Sequence, residues 1–388
     1  MHDVSFTYQL GTRILFGAGG LAELGKEARA FADERVLLVT DAGLVTAGVA
    51  DKALGVLGDA GLRSAVYADV TANPSDRECC AAAAAAVEFG AQAIVGLGGG
   101  SALDTAKAAA ALVTNGGRVK DWEDPRRLET APLPLLAVPT TAGTGAEVTW
   151  VAVITDEDNH YKMSLLDPAI APDVALLDPE LTLSLPAGTT AATGMDALIH
   201  AIEAYTCKVA NPVSDALALR AIGLIAEALP AAVKDGGNAG ARYDMLLASL
   251  LAGLAFGNAD VGAVHCLGES LGGLFDTPHG LACSAFLPVV LEFNLEADLA
   301  KHAAVARALG ADTAAMSEAE AARSAVTVTR ELMAEIAMPA LRDLQQLAPA
   351  DLEKLAHLSA EHVCSPDNAR EIGYAQYLEL LQKAYARR

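Results

Sequence analysis

AQAIVGLGGGSALDTAK, residues 91–107, decides the fold. Its first part, AQAIVGL, is a short apolar run of strand character that ends at Leu97; from Ser101 to about Val113 the pattern is helical. A strand that passes through a glycine turn straight into a helix is the repeating unit of a parallel sheet covered by helices. Gly98, Gly99 and Gly100 let the backbone approach a ligand with no Cβ in the way. Ser101 followed three residues later by Asp104 has the spacing of a capping box. Free N–H groups at such a helix start suit a pyrophosphate.

Similar runs lie on both sides: RVLLVT (Arg35–Thr40), RSAVYA (Arg63–Ala68), LPLLAVP (Leu133–Pro139), VAVIT (Val151–Thr155) and VALLD (Val174–Asp178). They are apolar throughout rather than alternating, as expected of strands covered on both faces. Helical stretches separate them, one reaching about Ala60 and another at Asp76–Phe89. These features predict an α/β domain with a parallel sheet and helices on both sides. Two further loops suit a nucleotide. PTTAGTGAE, residues 139–147, offers the hydroxyls of Thr140, Thr141 and Thr144 with bare glycine amides. Asp41 ends the first run, where a carboxylate can bind ribose hydroxyls and would repel a 2′-phosphate. Taken alone, Asp41 reads rather as a helix N-cap or turn residue. GAGGLA, residues 17–22, matches the dinucleotide fingerprint better as a string but lacks a full preceding strand, and reads as a tight turn.

The pattern changes at LSLPAGT, residues 183–189. Beyond it helices are expected at 190–206, 213–230, 241–257, 262–274, 298–309, 317–336, 350–361 and 371–386. The boundary is placed near 184–188, giving a nucleotide-binding α/β domain over 1–185 and an all-α, metal-binding domain over 186–388. A cleft between such domains is a natural ligand site.

Within the helical half, GMDALIHAIEAY (194–205) sets Asp196 and His200 four residues apart, on one helix face. VHCLGESLGGLFDTPHG (264–280) carries His265 and His279. One carboxylate and three imidazoles form a donor set for Fe²⁺ or Zn²⁺. Cys266 and Cys283 lie nearby but read as small buried hydrophobes. His2, His160, His302, His357 and His362 show no comparable arrangement.

The whole chain has 388 residues, 53 % hydrophobic, with 49 acidic and 27 basic side chains and a formal charge of −22. This excludes a disordered chain. It argues against nucleic acid or anionic membrane as partners and favours solubility. Six cysteines without a CxxC pair predict no zinc ribbon and no disulfide framework, in keeping with a reducing cytoplasm. The start, MHDVSFTYQL, lacks the features of a signal peptide. The longest apolar run, near Met245–Phe256, reads as a buried helix too short to span a bilayer.

Together, GGGSALDTAK, PTTAGTGAEVT, DPAIAPDVALLDPEL, ATGMDALIHAIEAY and the PHG turn make the chain resemble the iron-containing (group III) alcohol dehydrogenases. The resemblance implies an NAD-dependent enzyme acting on a small primary alcohol, diol or hydroxyaldehyde, usually dimeric, with iron as the metal and zinc as the alternative. It places the metal ligands on Asp196, His200, His265 and His279. NAD(P) contacts would fall on Asp41, Asn73, Gly99, Gly100, Ser101, Thr140, Thr141, Thr144 and Lys162. The cation would act as a Lewis acid on the substrate oxygen while the cofactor carries the hydride. A dehydroquinate-synthase-like lyase is the rival enzyme class; it needs Lys and Arg near the metal, and the segments here contain few. A non-catalytic nucleotide- or metal-binding protein is the other alternative.

Two positions depart from the family. Glu269 stands where many relatives have a histidine, four residues after the one matching His265. Asn368-Ala369-Arg370 replaces an Asn-Pro-Arg sequence, with an effect expected only on local packing. Glu269 is assigned here to the catalytic group with His265 and His279: as a proton relay, as an acceptor fixing a ligand histidine, or, least specifically, in a helix-surface ion pair.

Overall fold

The computed structural model describes residues 5–159 and 161–387. His2, His160 and the first four residues of the amino-terminal segment lie outside this range. The chain divides into two compact units: residues 10–141 with 145–184, and residues 5–9 with 142–144 and 185–387.

The first unit carries eight strands among the described residues: β1 (Arg13–Phe16), β2 (Arg35–Val39), β3 (Arg63–Tyr67), β4 (Ala93–Gly98), β5 (Leu135–Pro139), β6 (Val151–Asp156), β7 (Tyr161–Leu166) and β8 (Val174–Leu177). Its helices are α1 (Leu24–Arg29), α2 (Ala42–Thr46), α3 (Val49–Asp59), α4 (Asp76–Phe89) and α5 (Gly100–Asn115). Six strands form one parallel sheet in the order β1-β8-β5-β4-β2-β3. Leu37, Val39, Ile94 and Leu135 pack with α4 and α5 on one face. Val36, Leu38, Val95, Leu97, Leu136 and Val138 pack with α1 and α3 on the other. Both faces are dry, which is why these runs do not alternate.

Three expectations are corrected. First, β1 precedes the GAGGLA turn, so a strand does stand there; it is short and pairs only with β8 at the sheet edge. The turn is nevertheless closed to a ligand on this side, because Asp178 accepts from the amides of Gly19 and Leu21. Second, β6 is not in the parallel sheet. It pairs antiparallel with β7, a strand absent from the sequence reading. Ala152, Ile154 and Asp156 are buried while their neighbours are not, the mark of a hairpin covering one surface only. Third, α5 begins at Gly100 with Gly99 as N-cap, and no side chain caps it. Ser101 Oγ instead donates to the Ala72 carbonyl at 2.7 Å. Asp104 accepts from Val153 N at 3.1 Å and faces Lys107 Nζ at 3.6 Å. Lys107 is fully buried and donates to the Val151 carbonyl at 2.8 Å. This i,i+3 pair therefore pegs the β6–β7 hairpin to α5.

The second unit has no strand among its described residues, and its α-helices are α6 (Ala187–Thr206), α7 (Pro212–Lys234), α8 (Ala239–Phe256), α9 (Ala263–Phe275), α10 (His279–Asn294), α11 (Leu299–Ala308), α12 (Glu318–Glu335), α13 (Leu341–Leu344), α14 (Pro349–Glu361) and α15 (Tyr374–Ala386). α10 is absent from the sequence reading. It contains Pro288, a residue that normally ends a helix pattern, and burial on most sides leaves it no clear amphipathic period. α7, α8 and the run His279–Ala297 are long and apolar enough, by length and composition, to cross a membrane. The Met245–Phe256 run attains that length because its helix starts at Ala239. In this unit α7 packs against α6 and α8.

Residues 5–9 belong here because Tyr8 Oη donates to the Leu254 carbonyl at 3.1 Å, and Gln9 and Asn258 exchange two hydrogen bonds. All six cysteines are free thiols.

The sheet core predicts unequal costs. Ile94→Ala, in a fully buried central strand, is expected to lose about 2–5 kcal/mol of stability in denaturant unfolding. Val66→Ala, 42 % exposed on edge strand β3, should cost under about 0.5 kcal/mol.

Candidate metal centre

α6 is anchored at its start by Arg242, which is buried and donates to Thr190 Oγ1 at 2.7 Å and the Leu185 carbonyl at 3.0 Å. Along one face, α6 then presents Asp196, His200 and Glu203 at i, i+4 and i+7. α9 brings His265 in its first turn, and α10 starts at His279. Glycines allow the close approach of these helices. A Cβ at Gly280 would overlap the Ala192 carbonyl of α6, and one at Gly268 the sulfur of Cys283.

The four predicted ligands come together: donor atoms of Asp196, His200, His265 and His279 all lie within 4.8 Å of one another. Asp196 Oδ1 is 3.3 Å from His279 Nε2 and 4.0 Å from His265 Nε2, and Asp196 Oδ2 is 3.9 Å from His200 Nδ1. Bonds of about 2.0–2.1 Å at tetrahedral angles separate ligand atoms by roughly 3.4 Å, so the set is spaced to close on one cation. Asp196 Oδ1, His200 Nδ1 and His265 Nε2 are buried and have no hydrogen-bond partner. Buried polar atoms are normally paired. Three orphans facing one point fit a divalent ion.

The other side of each buried imidazole is held. His265 Nδ1 meets Glu203 Oε2 at 2.5 Å, and Glu203 Oε1 accepts from Val264 N at 2.7 Å. The carboxylate thereby turns the His265 Nε2 lone pair toward the donor set. The Gly143 carbonyl faces the His200 ring. Residues 142–144 of the Thr/Gly loop thus serve the helical unit, where a Cβ at Gly143 would meet Thr193 at 2.8 Å. Phe256 stacks on His200 at 4.2 Å. Glu203 escaped the sequence reading, although its position seven residues after Asp196 places it on the same face.

Charge is distributed accordingly. Burial pushes the Asp196 carboxyl up, but the imidazoles of His200 and His279 hold it well below the usual carboxylate range. Burial keeps His200 neutral, down to about 3. Burial also pushes His265 down, yet the neighbouring Cys283 and the Glu203 carboxylate hydrogen-bonded to its ring together more than reverse this, so that it rises to about 9.

Glu269 lies four residues beyond His265, but its Oε2 is engaged by His362 Nε2 at 2.9 Å. The ligand-holding contact belongs to Glu203 instead. His362, passed over in the sequence, is the partner that no local spacing could reveal. Cys283 Sγ sits 3.8 Å from His279 Nε2, outside the donor set, as is Cys266. His302 Nδ1 contacts the Asp298 carbonyl, and His357 stacks on Tyr374.

In the first unit, Asp41, Gly98–Gly100 and Thr140–Thr141 follow β2, β4 and β5 at the carboxyl ends of adjacent strands. Asp41 Oδ1 caps α2 through Leu44 N at 3.0 Å, while Oδ2 faces Gly98. Gly98, at φ +153°, has no room for a Cβ beside Ala102, and Gly99 packs on Thr141. Ser101 reaches the Ala72 carbonyl, and Lys162 Nζ on β7 donates to Asn73 Oδ1 at 3.0 Å. These residues therefore share one edge. Asp104 is committed to Lys107 and Val153, and Thr144 belongs with the helical unit.

Two outcomes follow from the Glu203–His265 contact. In the ion-free protein a proton occupies His265 up to about pH 9, so cation uptake must expel it. Zn²⁺ affinity, measured by chelator competition, should rise with pH by up to about tenfold per unit until roughly that value. Glu203→Gln removes the charge that raises His265, so the pH midpoint should move down. Above it, affinity should still be about 10–100-fold weaker, because the ring is no longer oriented.

Comparison with known proteins bears on both units. The model of the iron-containing alcohol dehydrogenases matches residues 11–179, and that of the family's C-terminal region matches residues 190–385. The chain is 37 % identical over 382 residues to a choline dehydrogenase of Bacillus subtilis, covering 98 % of this chain and 95 % of that protein. It is 37 % identical over 370 residues to an NAD-dependent methanol dehydrogenase of Bacillus methanolicus, covering 95 % and 97 %. A crystal structure of a 1,3-propanediol oxidoreductase superposes with a TM-score of 0.95 at 36 % identity, covering 98 % of this chain and all of the other. With both halves matched and the buried donor set in place, the chain belongs to the iron-containing alcohol dehydrogenases, oxidoreductases of small alcohols and aldehydes.

Proposed function

We propose that the protein is an NAD(H)-dependent alcohol dehydrogenase or aldehyde reductase for a small primary alcohol, diol or hydroxyaldehyde. Asp196, His200, His265 and His279 would hold one divalent cation, Fe²⁺ by family and Zn²⁺ by the same donor chemistry. The observation that carries this reading is the convergence of three buried, unpartnered donor atoms on one point. When bound, the cation supplies Lewis acidity to the substrate oxygen, and the nicotinamide supplies or takes the hydride.

The chain's own residues do the rest. Glu203 and the Gly143 carbonyl set the orientation of His265 and His200. Asp196 remains ionised and gives the centre its one anionic ligand. Phe256, stacked on His200, packs against the face of that ring. On the nucleotide side, the amides at Gly99–Ser101 would take the pyrophosphate at the start of α5. Asp41 Oδ2 would take a ribose hydroxyl, with Thr140, Thr141, Asn73 and Lys162 along the same edge. The NAD-dependent relative supports this choice of nucleotide. The working form is proposed to be a cytoplasmic homodimer.

The decisive experiment measures NADH formation from 1,3-propanediol and ethanol with stripped and with Fe²⁺- or Zn²⁺-loaded protein. Loaded protein should turn over and stripped protein should not; turnover without metal overturns the reading. His265→Ala and His279→Ala should abolish turnover and leave NADH binding nearly unchanged. Asp41→Gly should narrow the NAD-over-NADP preference in kcat/KM by about 1–3 kcal/mol. Because glycine is tolerated at an N-cap, the loss of the α2 cap should cost only a few tenths of a kcal/mol.

A further inference from the structure

Helix α9, which carries His265, is held along one side by a single stretch of chain, residues 359–368. Ser359 Oγ lies 3.2 Å from both the Cys266 carbonyl, to which it donates, and Ser270 Oγ. His362 Nε2 meets Glu269 Oε2 at 2.9 Å. Asn368 Oδ1 accepts from Ala263 N, the first residue of α9, at 3.2 Å, and from Asn294 Nδ2, the last residue of α10, at 3.0 Å. Asn368 Nδ2 donates to Asn294 Oδ1 at 2.9 Å and to the Arg370 carbonyl at 2.7 Å. A side-chain amide has four such valences, and here all are filled in a residue 1 % exposed. The stretch is itself fixed from α15, where Tyr377 Oη donates to Ser365 Oγ at 3.0 Å. It thus grips α9 at residues 263, 266 and 269–270, and the end of α10, the helix that carries His279.

Among these ties one is charge-assisted, a ring N–H donating to a carboxylate. Cys364 N donates to His362 Nδ1 at 3.3 Å, which leaves Nε2–H directed at the Glu269 carboxylate. The two side chains are only 17 % and 11 % exposed. Burial pushes Glu269 up, and His362 outweighs it, so Glu269 stays a carboxylate well below its usual range. Without His362 that carboxylate would be stranded in a nearly dry place, and α9 would have to turn to hydrate it. His265 is one helical turn away on the same face and would turn with it.

We propose that His362, acting through Glu269, is a positioning residue of the metal centre: the pair sets the rotation of α9 at which His265 presents Nε2 to the cation. This rests on the reading of the Asp196 set as a metal site. It gives the family departure at Glu269 a meaning other than proton relay. The carboxylate works as the handle by which residues 359–368 hold a ligand-bearing helix.

The test is a double-mutant cycle on the full chain, with Zn²⁺ affinity read by chelator competition and thermal unfolding of the ion-free protein recorded in parallel. H362A should weaken Zn²⁺ binding about tenfold, the scale of a lost outer contact to a ligand. E269Q removes the charge that needs a partner, so E269Q/H362A should bind within about threefold of E269Q alone. A merely structural role of His362 would not be suppressed in this way. H362A affinity equal to that of the unaltered protein overturns the proposal. So does a tenfold loss that persists in the E269Q background, since His362 would then not act through Glu269. Should H362A fail to fold, H362Q in both backgrounds closes the same cycle with the same criteria. Unaltered protein that binds no Zn²⁺ overturns the metal site itself and this proposal with it; stoichiometric binding with an indifferent H362A overturns only the positioning role.

Discussion

Burying a carboxylate oxygen and two imidazole nitrogens without hydrogen-bond partners is the constraint around which the helical unit is arranged. Each such atom costs on the order of 1–3 kcal/mol when left unsatisfied, and Asp196 Oδ1, His200 Nδ1 and His265 Nε2 sit together in that condition. Asp196, His200 and His265 are the residues that would hold a cation there, and its binding would offset that penalty. α6 supplies two of the four donors, Asp196 and His200, by helical periodicity. α9 and α10 can add theirs only because Gly268 and Gly280 let the backbones approach.

Orientation is the second requirement, and it is met by groups that touch no ligand-facing atom. Glu203 holds one ring from behind and also binds the amide next to it, so ring and helix start are fixed by the same carboxylate. Gly143 faces another ring from a loop that looks, in sequence, like part of a phosphate site. The loop is in fact divided: Thr140 and Thr141 remain with the sheet, and 142–144 go with the helices. A short Thr/Gly segment can do both because its amides and carbonyls are unencumbered by bulky side chains.

In the sheet unit the helices α4 and α5 cover one face and α1 and α3 the other, and ligands of such sheets bind at the carboxyl ends of the strands. Asp104 and Lys107 show how polar residues of a motif can be structural. Their charges are used to fasten the β6–β7 hairpin, and that hairpin carries Lys162 to Asn73.

Much of this was legible in the linear chain. Runs dry on both faces announced buried parallel strands, the triple glycine announced a close backbone approach, and the four-residue spacing of Asp196 and His200 announced a shared helix face. These signals are local: they depend on side chains within a turn or two of each other, where backbone geometry fixes direction. The hairpin strand β7, its antiparallel pairing with β6 and the largely buried α10 were not legible, because what they pack against, not their own period, determines them. The same holds for the partners that finish the site. Glu269 and His362 lie 93 residues apart, and Glu203 and His265 lie 62 apart. Only the folded chain decides which carboxylate meets which imidazole, since each helix offers several, and packing alone selects the pair that can be buried together.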